Sequence, residues 1–125
     1  MNEEYSQILF AEVFNELTTP LLVLNEDFEV TASNSQFKEE YKYDSQTVVD
    51  FTNSISAKDR TRVHNELVLL FNTPKNKSYL TDVTIKKFNY NVRVDIEIKL
   101  LTKTGEVLVI IDEGILGDSN THIPL

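Results

Sequence analysis

From Tyr90 to Leu100 the chain alternates without a break. Tyr90, Val92, Val94, Ile96, Ile98 and Leu100 take one side, and Arg93, Asp95, Glu97 and Lys99 the other. A period of two is the signature of a strand with one face buried. Thr102-Lys103-Thr104-Gly105 comes next as a hairpin turn, with Gly105 free to take positive φ. Glu106 to Asp112 is then apolar on both faces, as a central strand is. A long hairpin of this kind commits the chain to an antiparallel sheet. Every other segment must either add to that sheet or cover it.

Pro20 to Tyr41 adds two strands and a helix. Leu21 to Leu24 is a short apolar run closed by Asn25-Glu26-Asp27, after which Phe28, Val30 and Ala32 alternate with polar residues. Asn34 opens a short helix with Phe37 and Tyr41 on one face. Its side-chain oxygen suits the junction because it can accept from a free N–H of the first turn. Tyr41 to Ile55 holds one or two helical turns, with Tyr43, Val48, Val49 and Phe51 as contacts. Ser56 and Asp59 form a capping-box pattern, Ser56 accepting from the first turn and Asp59 reaching back. Val63, Leu67, Leu70 and Phe71 make the buried stripe of that helix, and Pro74, in the loop Asn72 to Ser78, ends it. Tyr79 to Lys86 alternates loosely through Leu80, Val83 and Ile85. The sum is an α+β fold with a five-stranded antiparallel sheet and helices between its second and third strands.

The chain divides into three parts: residues 1–18, 19–113 and 114–125. The first reads as an amphipathic helix from Glu3 to Thr18, stopped by Pro20, with Tyr5, Ile8, Leu9, Val13, Phe14 and Leu17 near helical spacing. Its apolar stripe fits either the surface of its own domain or a partner subunit. The last part, rich in Gly, Ser, Asn and Asp, reads as a linker or tail.

At 125 residues, 41% hydrophobic and 26% charged, the chain fits one globular domain with a modest core. A net charge of −8 argues against a nucleic-acid surface and against contact with an anionic membrane. The absence of cysteine removes disulfides, thiolate metal sites and cysteine nucleophiles. The opening MNEEYSQ has no basic n-region, and the longest apolar run, Val107 to Ile111, is far too short to span a bilayer. A cytoplasmic domain is expected.

Three stretches together resemble a PAS domain, a bacterial sensory box. LLVLNEDFEVTASNSQFKEEY is similar to that family's strand, D-x-D-G turn, strand, Asn, helix. ISAKDRTRVHNEL is similar to its HPEDRxRV helix, and NVRVDIEIKLLTKTGEVLVIIDE to its closing hairpin. The resemblance spans residues 15 to 113, with departures. Asn25 replaces an aspartate, Phe28 the turn glycine, Lys42 a glycine and Ser56 a histidine. With Phe28 in the turn, the positive φ is expected on Asp27 or Asn25. The resemblance implies a strand order of 2-1-5-4-3 with helices packed on one face. It also implies a homodimer contact through Tyr5, Ile8, Leu9, Val13 and Phe14, a small-molecule ligand, and an output domain of kinase or cyclase type outside this chain. The D-I-T motif that often comes after the last strand is incomplete, since Asp112 is followed by Glu113-Gly114.

His64 lies on the helix where haem-binding members of that family carry an iron ligand. Val63 fits the buried stripe and turns His64 to a flank, which speaks against haem. Flavin of the cysteine-adduct, light-sensing type is excluded for want of cysteine. Asp44, Asp50, Asp59, Asp95, Glu97 and His122 show neither ligand spacing nor a nucleophile elbow, so no catalytic residue and no metal site is assigned. A small cone-shaped α+β enzyme would need His64 beside a carboxylate in a cavity. Lys75, Lys77, Lys86 and Lys87 lie near strand ends and read as a solvated cluster or, if they converge, a site for an anionic metabolite. The interior offers Asn34, Phe37, Tyr41, Val49, Phe51, Val63, Leu67, Val94, Ile96 and Val109 as pocket residues, which equally serve as plain core. The expected function is a non-catalytic sensory and regulatory module. The alternative is a ligandless protein–protein docking domain.

Overall fold

A computed structural model describes residues 12–41, 51–72, 77–87 and 90–113. Its elements are β1 (Leu21–Leu24), β2 (Val30–Ser33), α1 (Ser35–Tyr41), a 3-10 turn (Phe51–Ser54), α2 (Ala57–Asn72), β3 (Lys77–Lys87), β4 (Tyr90–Leu101) and β5 (Glu106–Asp112). The strands form one sheet in the order β2-β1-β5-β4-β3, with every neighbouring pair antiparallel. That is the order expected from the resemblance.

The alternation of β4 holds: Val92, Val94, Ile96 and Ile98 face the core. In β5, Val107, Val109 and Ile111 face the same core, while Leu108 and Ile110 turn to the outer face. Both faces of this strand are covered, which explains its unbroken apolar run. The β4–β5 turn closes through the Gly105 N–H, which donates to Leu101 O at 2.8 Å, and Gly105 has φ +76°.

Two bulges account for the irregular alternation elsewhere. In β3, Leu80 opposes Ile96 and Val83 opposes Val94, so Thr81 and Asp82 share a single partner position. Asp82 takes φ +53°, its N–H donates to Asp95 Oδ1 at 3.1 Å, and Arg62 of α2 donates to Thr81 O and Asp82 O. The bulge lets Leu80 and Val83, three apart, both face inward. In β2, Val23 opposes Ala32 but Leu24 opposes Val30. The inward alternation of Phe28 and Val30 therefore stops short of Ala32, which turns to the exposed outer face. Val23 likewise faces outward, with Phe14 and Leu21.

The β1–β2 turn departs from expectation. The positive φ, +65°, falls on Phe28 and not on Asp27 or Asn25. The Phe28 N–H closes the turn on Asn25 O at 2.9 Å, and Asn25 Oδ1 accepts from the N–H groups of Asp27 and Glu29. Asn25 thus acts as an Asx turn, and the hairpin geometry leaves the left-handed position to Phe28, two residues before β2. Burial of the Phe28 ring against Phe71 and His64 offsets the backbone strain, about 1–2 kcal/mol for such a residue.

The N-cap of α2 also differs from a reciprocal capping box. Ser56 Oγ donates to Asp59 Oδ2 at 3.3 Å, but the Ser56 N–H goes to Thr84 O. The same Asp59 oxygen accepts the Thr84 N–H at 2.8 Å. Asp59 thereby ties α2 to β3. Burial pushes its carboxyl up, but the Thr84 N–H, Arg62 and Ser56 outweigh this and hold it below the usual range.

Candidate functional site

The inner sheet face, α1, the 3-10 turn and α2 enclose the core. Phe37, Tyr41, Phe51, Val63, Leu67, Val94, Ile96 and Val109 all belong to its one large buried cluster. The expected pocket residues are thus brought together, apart from Val49, which lies outside the described residues. They pack tightly: Leu67, Ile96 and Val109 are 0% exposed.

Asn34 is equally buried, and both polar atoms of its side chain bond within the fold. Its Oδ1 accepts from Leu21 N–H and Phe37 N–H, both at 3.0 Å, and its Nδ2 donates to Thr19 O at 2.9 Å. Its own N–H donates to Leu21 O at 2.9 Å. Asn34 caps α1 and stitches it to β1, which leaves no polar atom for a ligand.

The other end of α1 is different. The Tyr41 ring stacks on Phe37, centroids 5.0 Å apart, and its hydroxyl donates to Glu113 Oε2 at 3.3 Å. Lys87 Nζ reaches the same oxygen at 2.8 Å, lies 5.4 Å from the Tyr41 ring centre, and is 3.8 Å from Glu40 Oε2. Glu40 Oε1 accepts from Gln36 at 2.6 Å, while its Oε2 is buried without a hydrogen bond. Residues from α1, β3 and the chain exit after β5 meet here. Burial pushes the Tyr41 phenol far above its ordinary range, and the charges of Glu113 and Glu40 push the same way. For Lys87 burial pulls the ammonium down, but Glu113 and then Glu40 more than compensate and hold it above its usual value.

Sequence reasoning places Tyr41 at the site but misses its partners, because it groups Lys87 with Lys75, Lys77 and Lys86. Lys75 lies outside the described residues, and Lys77 and Lys87 stand at opposite ends of the 11-residue β3, roughly 30 Å apart along a strand, so they do not converge. Lys77 pairs instead with Glu97 at 3.6 Å. The one signal in the sequence for Glu113 is its place beside Asp112, where the D-I-T motif breaks off.

His64 is exposed on the flank of α2, its ring edge-on to Phe28 at 5.0 Å, and it forms no ion pair with a carboxylate among the described residues. No histidine is among the buried residues described. Asp44, Asp50 and His122 lie outside those residues. Of the expected dimer contacts, Tyr5, Ile8 and Leu9 also lie outside them. Residues 12–16 are helical, with Phe14 buried on its own domain against Leu21 and Val23, and Val13 50% exposed. Beside them the outer face carries a concave groove of about 710 Å³ lined by Val23, Ala32, Leu100 and Leu101 among others.

No protein-family model matches the chain, and no curated protein matches its sequence. Solved structures do. The PAS domain of an HTR-like protein from Haloarcula marismortui matches with a TM-score of 0.68 at 16% identity, over 86% of this chain and 96% of that one. The fold is the PAS fold. A domain of the sensory box sensor histidine kinase/response regulator from Geobacter sulfurreducens gives a TM-score of 0.70 at 14% identity, over 89% of this chain and 96% of that one. The PAS domain of the Cronobacter turicensis RpfR quorum-sensing receptor, in complex with BDSF, gives 0.59 at 12% identity, over 77% and 91%. Among the described residues no helix is long and apolar enough to cross a membrane.

Proposed function

We propose that this PAS-fold chain is a non-catalytic sensory and regulatory module of a bacterial signal-transduction protein. It senses a small ligand at the inner face and passes a change in helix packing to an output domain of kinase or cyclase type outside this chain. The observation that carries the reading is the sharing of fold, over most of both chains, with domains of a sensor histidine kinase and a quorum-sensing receptor. The cluster at the end of α1 supports it, because it joins a helix of the inner face to the point where the chain leaves β5. A ligand shifts such an equilibrium only through unequal affinity for two packings. The homodimer forms through the apolar side of the leading helix, Tyr5, Ile8, Leu9 and Val13, of which Val13 is 50% exposed. The setting is the cytoplasm.

The second reading, a ligandless docking domain, is favoured by the tight packing of the inner face and by the apolar groove on the outer one. Native mass spectrometry of the purified protein beside a denatured control separates the two. A dimer with an excess mass that vanishes on denaturation is expected. A chain that carries no excess mass, and gains none from any small molecule offered, belongs to the docking reading.

A further inference from the structure

Glu113 stands just beyond β5, and its carboxylate is held as a bound ligand's would be. One ammonium, Lys87 at 2.8 Å, and one phenol, Tyr41 at 3.3 Å, converge on its Oε2. The phenol belongs to a ring inside the core, stacked on Phe37. Both charged side chains are largely withdrawn from solvent, Lys87 at 14% and Glu113 at 19% exposure. Lys87 has a second carboxylate beside it, Glu40 at 3.8 Å. Exchanging Glu113 for another carboxylate therefore leaves the local charge balance unchanged and the ammonium paired, which avoids the penalty of an isolated buried charge.

We propose that Lys87 and Tyr41 form a binding site for a monocarboxylate with an apolar body, and that Glu113 occupies this site until such a ligand displaces it. The inference rests on the sensory reading above and adds to it a ligand class and a route to the chain exit. The incoming carboxylate takes the two donors, its apolar part opens the packing around the Tyr41 ring, which is closed (7% exposed) while Glu113 is bound, and Glu113 is released. A neutral analogue lacks the charge-assisted bond to Lys87 and does not compete. The coupling is reciprocal, so weakening the hold of Glu113 strengthens the ligand.

Isothermal titration of the full chain with octanoate, and with 1-octanol as the neutral control, tests this. Octanoate is expected to bind about tenfold or more tighter than octanol, because only it carries the charge. Glu113→Gln removes a tethered competitor and should tighten octanoate about tenfold without changing octanol. Lys87→Gln should weaken octanoate about tenfold and Lys87→Arg should retain most of the affinity, since the charge-assisted bond survives. If Lys87→Gln does not fold, Tyr41→Phe replaces it, with an expected loss of about threefold for one neutral hydrogen bond. Equal binding of octanoate and octanol, no gain in Glu113→Gln, or no binding of octanoate even to that variant overturns the proposal. An excess mass in the native spectrum from a molecule without a carboxylate would overturn this site while leaving the sensory reading in place.

Discussion

At its N-terminal end α1 is held by Asn34, a neutral amide whose oxygen and nitrogen both bond to backbone groups of adjoining segments. At its C-terminal end it is held by Tyr41 and Glu40 through Lys87 and Glu113, which are charged and far apart in sequence. The first end is held by bonds to the backbone alone, and opening it strands buried N–H and C=O groups. At the second end two carboxylates share one ammonium, and one carboxylate oxygen has no hydrogen bond. A charge can be exchanged for a like charge at little net cost, whereas a capped backbone group has no such substitute. The helix is thus held by backbone bonds at one end and by charges at the other, and the proposed relay requires the second end to be the exchangeable one.

The largest expected effect is at the fixed end. Asn34→Ala should cost about 3 kcal/mol in urea unfolding, since it removes a cap and leaves several buried backbone groups unpaired. A loss under about 1 kcal/mol would erase the contrast. Asp59 tests whether charge alone makes a site exchangeable. It is charged but bonded to a backbone N–H, so it should behave like Asn34, with Asp59→Ala costing about 2 kcal/mol. Its depressed carboxyl gives stability that is present above the ordinary aspartate pKa of about 3.9 and is lost as pH falls through the folded value. Asp59→Asn should accordingly flatten the acid limb of a stability–pH profile.

At the charged end Lys87→Gln should cost less, about 1–2 kcal/mol, because Glu113 and Glu40 keep 19% and 30% of their side-chain surface exposed and can turn to water when the ammonium is lost. Lys87 and Tyr41 both have raised pKa values, so each contributes stability that is present below its unfolded pKa, near 10, and is lost as pH rises toward the folded value. The alkaline limb should therefore begin near pH 10 and become shallower in Lys87→Gln and in Tyr41→Phe. The smallest effect concerns Phe28. Phe28→Ala and Phe28→Gly both lose the ring, so their difference isolates the backbone; the glycine variant should be the more stable by about 1 kcal/mol. Equal stabilities in thermal unfolding would show that the turn relaxes without strain.

The legibility of each element in the sequence depends on the range of the interactions that make it. The period-two pattern of β4 and the two-faced β5 depend on neighbours along the chain, and both are present in the structure as read. The cap at Asn34 is legible for the same reason, since Phe37 N–H is three residues on. Its bond to Leu21, 13 residues away, is not. Alternation alone puts Ala32 on the wrong face, because a bulge adds one residue and inverts the facing of the residues after it. Phe28 escapes because residue preference favours Asn and Asp at positive φ, whereas the hairpin selects a position and not a residue type. Lys87 and Glu113 meet only because the sheet order brings the end of β3 and the exit of β5 around α1, which no local pattern encodes.

Amide hydrogen exchange along α1, in the native chain and in Glu113→Gln, separates the two ends directly. The Leu21 and Phe37 amides, both held by Asn34, should be strongly protected and unchanged by the variant. The amides of Glu40 and Tyr41 should exchange faster in it. A uniform fall in protection along the helix, or none at either end, would contradict a helix fixed at one end and exchangeable at the other.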